Sequence, residues 1–212
     1  MADKETIKAV KKAMDSAPPR NFTEGVELAI NLRDIDLSIP DKRVKQEILL
    51  PHGRGKEIKI GFFGSGEMAL KAKKSADTVI EPDQLNELME DKKEARLLAE
   101  EHHFFLAEPP LMPVIGRGMG PILGPKGKMP TPITPNMDIN NTINSLRNTI
   151  MVRSRDKRTF HAPVGTCEMK PEEIAENIDT VIRRIVDDLE RGKMNIASVY
   201  VKTTMGPAVR LM

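Results

Sequence analysis

The sequence predicts a mixed α/β fold, and three stretches carry that reading. Val26, Leu28, Ile30 and Leu32 alternate with Glu27, Ala29, Asn31 and Arg33, the period of a strand with one buried face. Residues 171–191 place Ile174, Ile178, Val181, Ile182, Ile185 and Leu189 at helical spacing. Between these two stretches, residues 59–107 alternate short apolar strands with helical runs, the pattern of a small α/β unit around a parallel sheet.

The remaining elements follow in order. Residues 3–16 read as a helix, with Ile7, Val10 and Met14 on one face and lysines on the other, stopped by Pro18 and Pro19. Past Arg33 the alternation resumes in the other phase with Ile35, Leu37 and Ile39, which predicts a turn near Asp34 and a continuing strand. Residues 44–50 read as its partner. The run KIGFF at 59–63 predicts a strand, followed by Gly64, Ser65 and Gly66 and a helix over 67–75. A strand at 78–80, one helix over 83–99 and a strand at 103–107 complete the middle. Residues 109–135 are so dense in Pro and Gly that an ordered loop is expected. A helix over 139–148 and a basic strand-like run over 149–165 follow. In the last helix Pro171 suits the first turn, Glu172 and Glu173 complement the dipole, and Gly192 is the stop. Strands over 195–202 and 207–211 end the reading.

Composition excludes several functions. Aromatic residues make up 3% of the chain, with no Trp, so a module built on several exposed base-stacking rings is ruled out. The formal net charge is +2, so a polyanion partner must be read from local charge. The single cysteine, Cys167, allows no internal disulfide and no thiolate cluster, and points to a reducing cytosol. No apolar run approaches the roughly 18 residues of a membrane span, and the charged start has no apolar core behind it, so neither membrane insertion nor a signal peptide is expected.

No constellation predicts an enzyme. His52, His102, His103 and His161 lack metal-ligand spacing, and nothing positions a base for Cys167, so no metal, cofactor or catalytic residue is expected. The Gly64–Ser65–Gly66 turn fits a tight β–α connection or a phosphate-binding turn of a small nucleotide-binding enzyme, yet GxGxxG and Walker A are both absent. The charged helix over 83–99 reads as a solvated face or an adaptor surface for another protein. Residues 116–130 (GRGMGPILGPKGKMP) carry Arg117, Lys126 and Lys128 without an acid, which suits either a structural connection or a loop near a polyanion. Arg153, Arg155, Lys157 and Arg158 enclose only Asp156. The chain then ends near Thr203, Thr204, Met205 and Gly206, where hydroxyls and open backbone suit ribose and phosphate.

VYVKTTMGP at 199–207, HAPVG at 161–165, LPHG at 50–53 and GPKGKMP at 124–130 together resemble the large-subunit ribosomal protein L1 family, in its archaeal branch, over residues 22–210. The resemblance implies two domains. Domain I, residues 1–58 and 152–212, would be an α/β sandwich with an open antiparallel sheet built from both chain ends. Domain II, residues 59–151, would be an inserted Rossmann-like α/β domain, joined by hinge strands near 57–60 and 150–153. It implies a cytoplasmic, monomeric, non-enzymatic protein that binds the large-subunit rRNA stalk beside the tRNA exit site. Assisted release of exit-site tRNA and repression through its own operon mRNA are implied with it. By the same resemblance, RNA contacts fall on Phe22, Glu27, Arg155, Lys157, His161, Ser198, Thr203, Thr204, Met205 and Gly206. Secondary contacts would come from Arg117, Lys126 and Lys128.

Overall fold

The structure is a computed structural model and describes residues 3–134 and 137–212. Residues 1, 2, 135 and 136, which include the start of the charged N-terminus and the end of the Pro- and Gly-dense stretch, lie outside the described residues. The elements in chain order are α1 (Lys4–Asp15), β1 (Gly25–Leu32), β2 (Lys45–Leu49), β3 (Ile60–Phe63), α2 (Gly66–Ala72), β4 (Thr78–Ile80), α3 (Pro82–Glu90), α4 (Lys92–Glu101) and β5 (Phe104–Ala107). They continue with α5 (Met112–Gly118), α6 (Gly120–Lys126), β6 (Thr131–Pro132), α7 (Ile139–Arg147), β7 (Thr149–Arg153), β8 (Thr159–Thr166), α8 (Pro171–Asp188), β9 (Ile196–Thr203) and β10 (Val209–Arg210). The fold is mixed α/β in two units. One runs to Lys56 and resumes at Asn148, and the other is Glu57–Arg147.

In the discontinuous unit the sheet order is β10-β9-β1-β8, antiparallel throughout. A strand from one part of the chain thus lies between two strands from the other. Val26, Leu28 and Ile30 of β1 are fully buried with Ala162 and Val164 of β8 and Val199 and Val201 of β9. α8 covers this face with Ile174, Ile178, Val181 and Ile185, and α1 adds Val10 and Ala13. Each aliphatic side chain so buried contributes about 1.5–3 kcal/mol, so the alternation leaves no doubt which face is core. β2 and β7 pair as a separate antiparallel ribbon whose Ile48, Ile150 and Val152 join the same core.

One buried polar side chain fastens three segments of this unit. The Asn177 amide on α8, fully buried, donates to the carbonyls of Gly53 at 2.9 Å and Val164 at 2.8 Å, and accepts the His52 N–H at 3.1 Å. At the adjacent position of α8, Glu176 Oε2 lies 2.6 Å from His52 Nε2, and this hydrogen bond holds the Glu176 carboxyl below the usual carboxylate range.

The inserted unit is a parallel sheet of order β4-β3-β5-β6. Successive residues of β3 serve opposite faces. Phe63 packs with Leu85, Phe105, Ile115, Met119 and Leu123, while Phe62 packs with Ile60, Leu106, Ile133 and Ile143. Both faces are therefore covered by helices, which explains why β3 is apolar at every position.

Several expectations are corrected. Residues 116–130 are largely helical, not a loop. Pro113 and Pro121 fall in first turns, where a missing N–H breaks no helical bond. Ile115, Met119 and Leu123, four residues apart, form a fully buried stripe, and Gly127 ends α6 at φ 67°. The helix over 83–99 is broken at Asp91, whose carboxylate accepts the N–H groups of Lys93 and Glu94 and so starts α4. The turn at Asp34 is present at φ 55°, but residues 35–39 do not continue as a strand. Both edges of β1 are already paired there, and Asp36 turns the backbone by accepting the Ser38 N–H at 3.0 Å. β2 pairs with β7 rather than with β1.

The units divide at 56/57 and 147/148, where the expected borders were 58/59 and 151/152. Residues 150–153 are ladder partners of β2, and the Leu50 N–H extends that ladder to the Asn148 carbonyl at 2.9 Å.

Gly116 and Gly124 sit inside α5 and α6, and a Cβ added to either meets nothing within 4 Å. Gly116→Ala should stabilise the inserted unit by about 0.5–1 kcal/mol, whereas Gly124→Ala should not, because Gly124 precedes Pro125, whose ring crowds a Cβ on a helical neighbour. A urea midpoint that rises at unchanged slope in Gly116→Ala alone would show this, and an unchanged or lower midpoint in that variant would contradict it.

Candidate nucleic-acid interface

The residues of β1 that do not enter the core face the other way, and register extends them into rows. Glu27 lies between Pro163 and Lys202, Ala29 between His161 and Tyr200, and Asn31 between Thr159 and Ser198, with Arg210 beside Tyr200. None of these side chains is buried. They form an open sheet face of hydroxyl, amide, imidazole and ammonium groups with one small residue, Ala29, at its centre.

The face is organised before any ligand arrives. Asn31 Nδ2 donates to Ser198 Oγ at 2.8 Å, and Thr159 Oγ1 donates to Asn31 Oδ1 at 2.7 Å, so one row is fixed across three strands. The Glu27 carboxylate stands 3.9 Å from His161 Nδ1 and opposite Lys202. It also faces the half-buried Arg54, whose guanidinium is lowered by burial while Glu27 opposes that shift.

Two kinds of chemistry flank the rows. At the start of β8, the turn over residues 154–158 exposes Arg155, Lys157 and Arg158, with Arg155 at φ 51° and the Lys157 N–H on the Ser154 carbonyl at 3.1 Å. Arg153 is lowered by burial first and by Arg155 second, as crowded cations are. At the other end, where β1 begins and β9 finishes, Phe22 and Met205 are each 55% exposed. Thr204 anchors this end, since Oγ1 accepts the Gly25 N–H at 3.1 Å and lies 3.2 Å from the Gly25 carbonyl. Eight-residue strands at roughly 3.3 Å per residue set the distance between the two ends at about 25 Å.

Two of the expected contact residues are already engaged within the protein. Thr203 is fully buried, on the core face, and its Oγ1 accepts the Gly206 N–H at 2.9 Å. A Cβ on Gly206 would collide with Thr203 Oγ1 and press on Ala17, so close packing within the protein already accounts for that glycine. Thr203 shares its phase with Val199 and Val201, and the alternation of β9 contained that signal. The same phase argument would have found Asn31, Thr159, Tyr200, Lys202 and Arg210, which sequence reasoning missed.

The three secondary cations separate, all within the inserted unit. Arg117 is exposed. Lys126 Nζ pairs with Glu100 at 2.9 Å. Lys128 Nζ donates to the carbonyls of Ala99 at 2.8 Å and His102 at 2.6 Å, closing the C-terminus of α4, and burial lowers its ammonium. The phosphate-binding reading of Gly64–Ser65–Gly66 meets a direct obstacle. The Glu108 carboxylate already takes the Ser65 N–H at 2.9 Å and lies 3.2 Å from Ser65 Oγ, filling the position an anion would need. Burial first and Glu24 second raise the Cys167 thiol, the opposite of what a nucleophile requires. Among the described residues, no group of His, Cys, Asp and Glu could hold a metal ion, and no helix is long and apolar enough to cross a membrane.

Comparison with known proteins decides the family. The model of the ribosomal protein L1p/L10e family matches residues 8–207. The chain belongs to that family. It is 53% identical to large ribosomal subunit protein uL1 of Methanocella arvoryzae over 100% of both chains. It is 53% identical to that of Haloferax volcanii, over 100% of this chain and 99% of the relative. Against that of Methanothrix thermoacetophila the identity is 54%, over 99% of this chain and 100% of the relative. These relatives are archaeal. An L1p/L10e member is a structural ribosomal protein with an RNA-binding role, not an enzyme.

Proposed function

We propose that this chain binds the rRNA stalk of the large ribosomal subunit, in the cytoplasm, through the open face of the β10-β9-β1-β8 sheet. The observation that carries the reading is the preset row Thr159–Asn31–Ser198 beside His161, Tyr200 and Lys202, flanked by Lys157 at one end and Thr204 and Met205 at the other. Such a face reads an RNA surface by shape. Hydroxyl and amide groups meet ribose 2′-OH groups, cations meet phosphates, and no stack of rings is needed. Phe22, Glu27, Arg155, Lys157, His161, Ser198, Thr204 and Met205 line this contact. Gly206 and the backbone of Thr203 shape its edge. Arg117 and Lys126 offer a secondary contact. The family resemblance further supports a monomer that assists release of exit-site tRNA and binds a similar structure in its own operon mRNA, repressing translation.

A salt-titrated filter-binding assay against a stalk-type rRNA fragment, with random duplex RNA as competitor, tests the reading. Tight binding should survive moderate salt and excess duplex. Thr204→Ala and Met205→Ala should weaken it. Lys157→Gln should both weaken it and reduce the slope of log K against log salt by about 0.7–0.9, one phosphate contact. Equal affinity for both RNAs, or parental affinity in all three variants, would assign the RNA to another surface. The same assay with the operon leader mRNA tests repression.

A further inference from the structure

A second surface lies in the inserted unit and has the opposite electrical character. β4 is the edge strand of the parallel sheet. Beside it, α3 and α4 leave a cleft of about 460 Å³ lined by Val79, Leu88, Leu97 and Leu98. Leu97 is 60% exposed, although its helix already buries Ala95 and Ala99 in the core. Glu87, Glu94 and Glu101 rim this apolar floor, and no Lys or Arg lines it. Among the described residues, Glu101 pairs with Lys59 alone, at 3.9 Å.

We propose that this cleft docks a cationic polypeptide segment of another protein, extended along β4, with aliphatic side chains on the leucine floor and Lys or Arg against the carboxylate rim. The charge selects the occupant. Three carboxylates repel RNA phosphates, so this is not an extension of the RNA surface, while an extended basic strand satisfies edge, floor and rim together. Leu97, 60% exposed beside these carboxylates, would be taken out of water by docking.

The test is an amide-shift titration of the full ¹⁵N-labelled chain with a blocked octapeptide alternating lysine with leucine, and with its glutamate-for-lysine counterpart. The lysine peptide should saturate and shift amides of residues 78–80 and of α3 and α4, while the glutamate peptide should not. Glu87→Gln with Glu94→Gln should weaken binding at least tenfold, and Leu97→Ser should do so with the rim intact. The undisturbed spectrum of each variant reports that it is folded. Shifts scattered over other acidic surfaces, parental affinity in the variants, equal response to both peptides, or displacement of the peptide by duplex RNA would each overturn the proposal.

Discussion

Ala29→Glu should abolish recognition of the stalk RNA while leaving the fold untouched. Ala29 is the small residue at the centre of the open face, between His161 and Tyr200 on the neighbouring strands. A glutamate there points into solvent, so the folded chain should change stability by no more than about 0.5 kcal/mol. In the complex, the same side chain holds RNA off the rows on either side and places a negative charge against phosphates. We expect affinity to fall at least 100-fold, about 2.7 kcal/mol, in filter binding at moderate salt, with an unchanged melting temperature. Retained affinity would place the RNA away from this sheet, whatever the family membership.

Asn177→Leu should have the largest effect on stability. Leucine keeps the number and branching of the side-chain heavy atoms but has bulkier methyl groups, so the change removes the polar contacts and adds some crowding at a fully buried position. It strips partners from the Gly53 and Val164 carbonyls and the His52 N–H. A buried group left unpaired costs about 1–3 kcal/mol, and with some rehydration of the residue 50–53 turn the sum should be roughly 3–5 kcal/mol, a large share of a typical domain's stability. The loss should appear as a lower urea midpoint for the discontinuous unit alone. Hydrogen exchange within Glu57–Arg147 should stay as protected as in the parent. A loss under 1 kcal/mol would mean that water takes over all three bonds.

The sequence told most where one periodicity ruled. β1 and the stripe of α8 were legible because burial on one face imposes a fixed phase, and the parallel middle because burial on both faces leaves short all-apolar strands between helical runs. It told less where two signals competed. Across 112–126 the density of Pro and Gly outweighed the spacing of Ile115, Met119 and Leu123, yet proline in a first turn is compatible with a helix. Thr203 was placed on the RNA face by its motif, although the phase of Val199 and Val201 puts it inside. Lys128 shows the limit of reading charge alone. A lysine without a nearby acid in sequence found two carbonyls at a helix end, and such partners exist only once the chain is folded.

The split character of the first unit also dictates an order of assembly. β1 is synthesised early, but both strands that flank it come after the whole inserted unit, and the bond from Gly25 to Thr204 spans 179 residues. During synthesis, β1 must therefore wait with its apolar face unpaired. The inserted unit, complete by Arg147, can form its own sheet in the interval and draw its two ends together. The remaining search then closes a much shorter effective loop. A mutation that slows the inserted unit should lengthen that exposure and lower the yield of soluble protein, even if the finished protein is as stable as before.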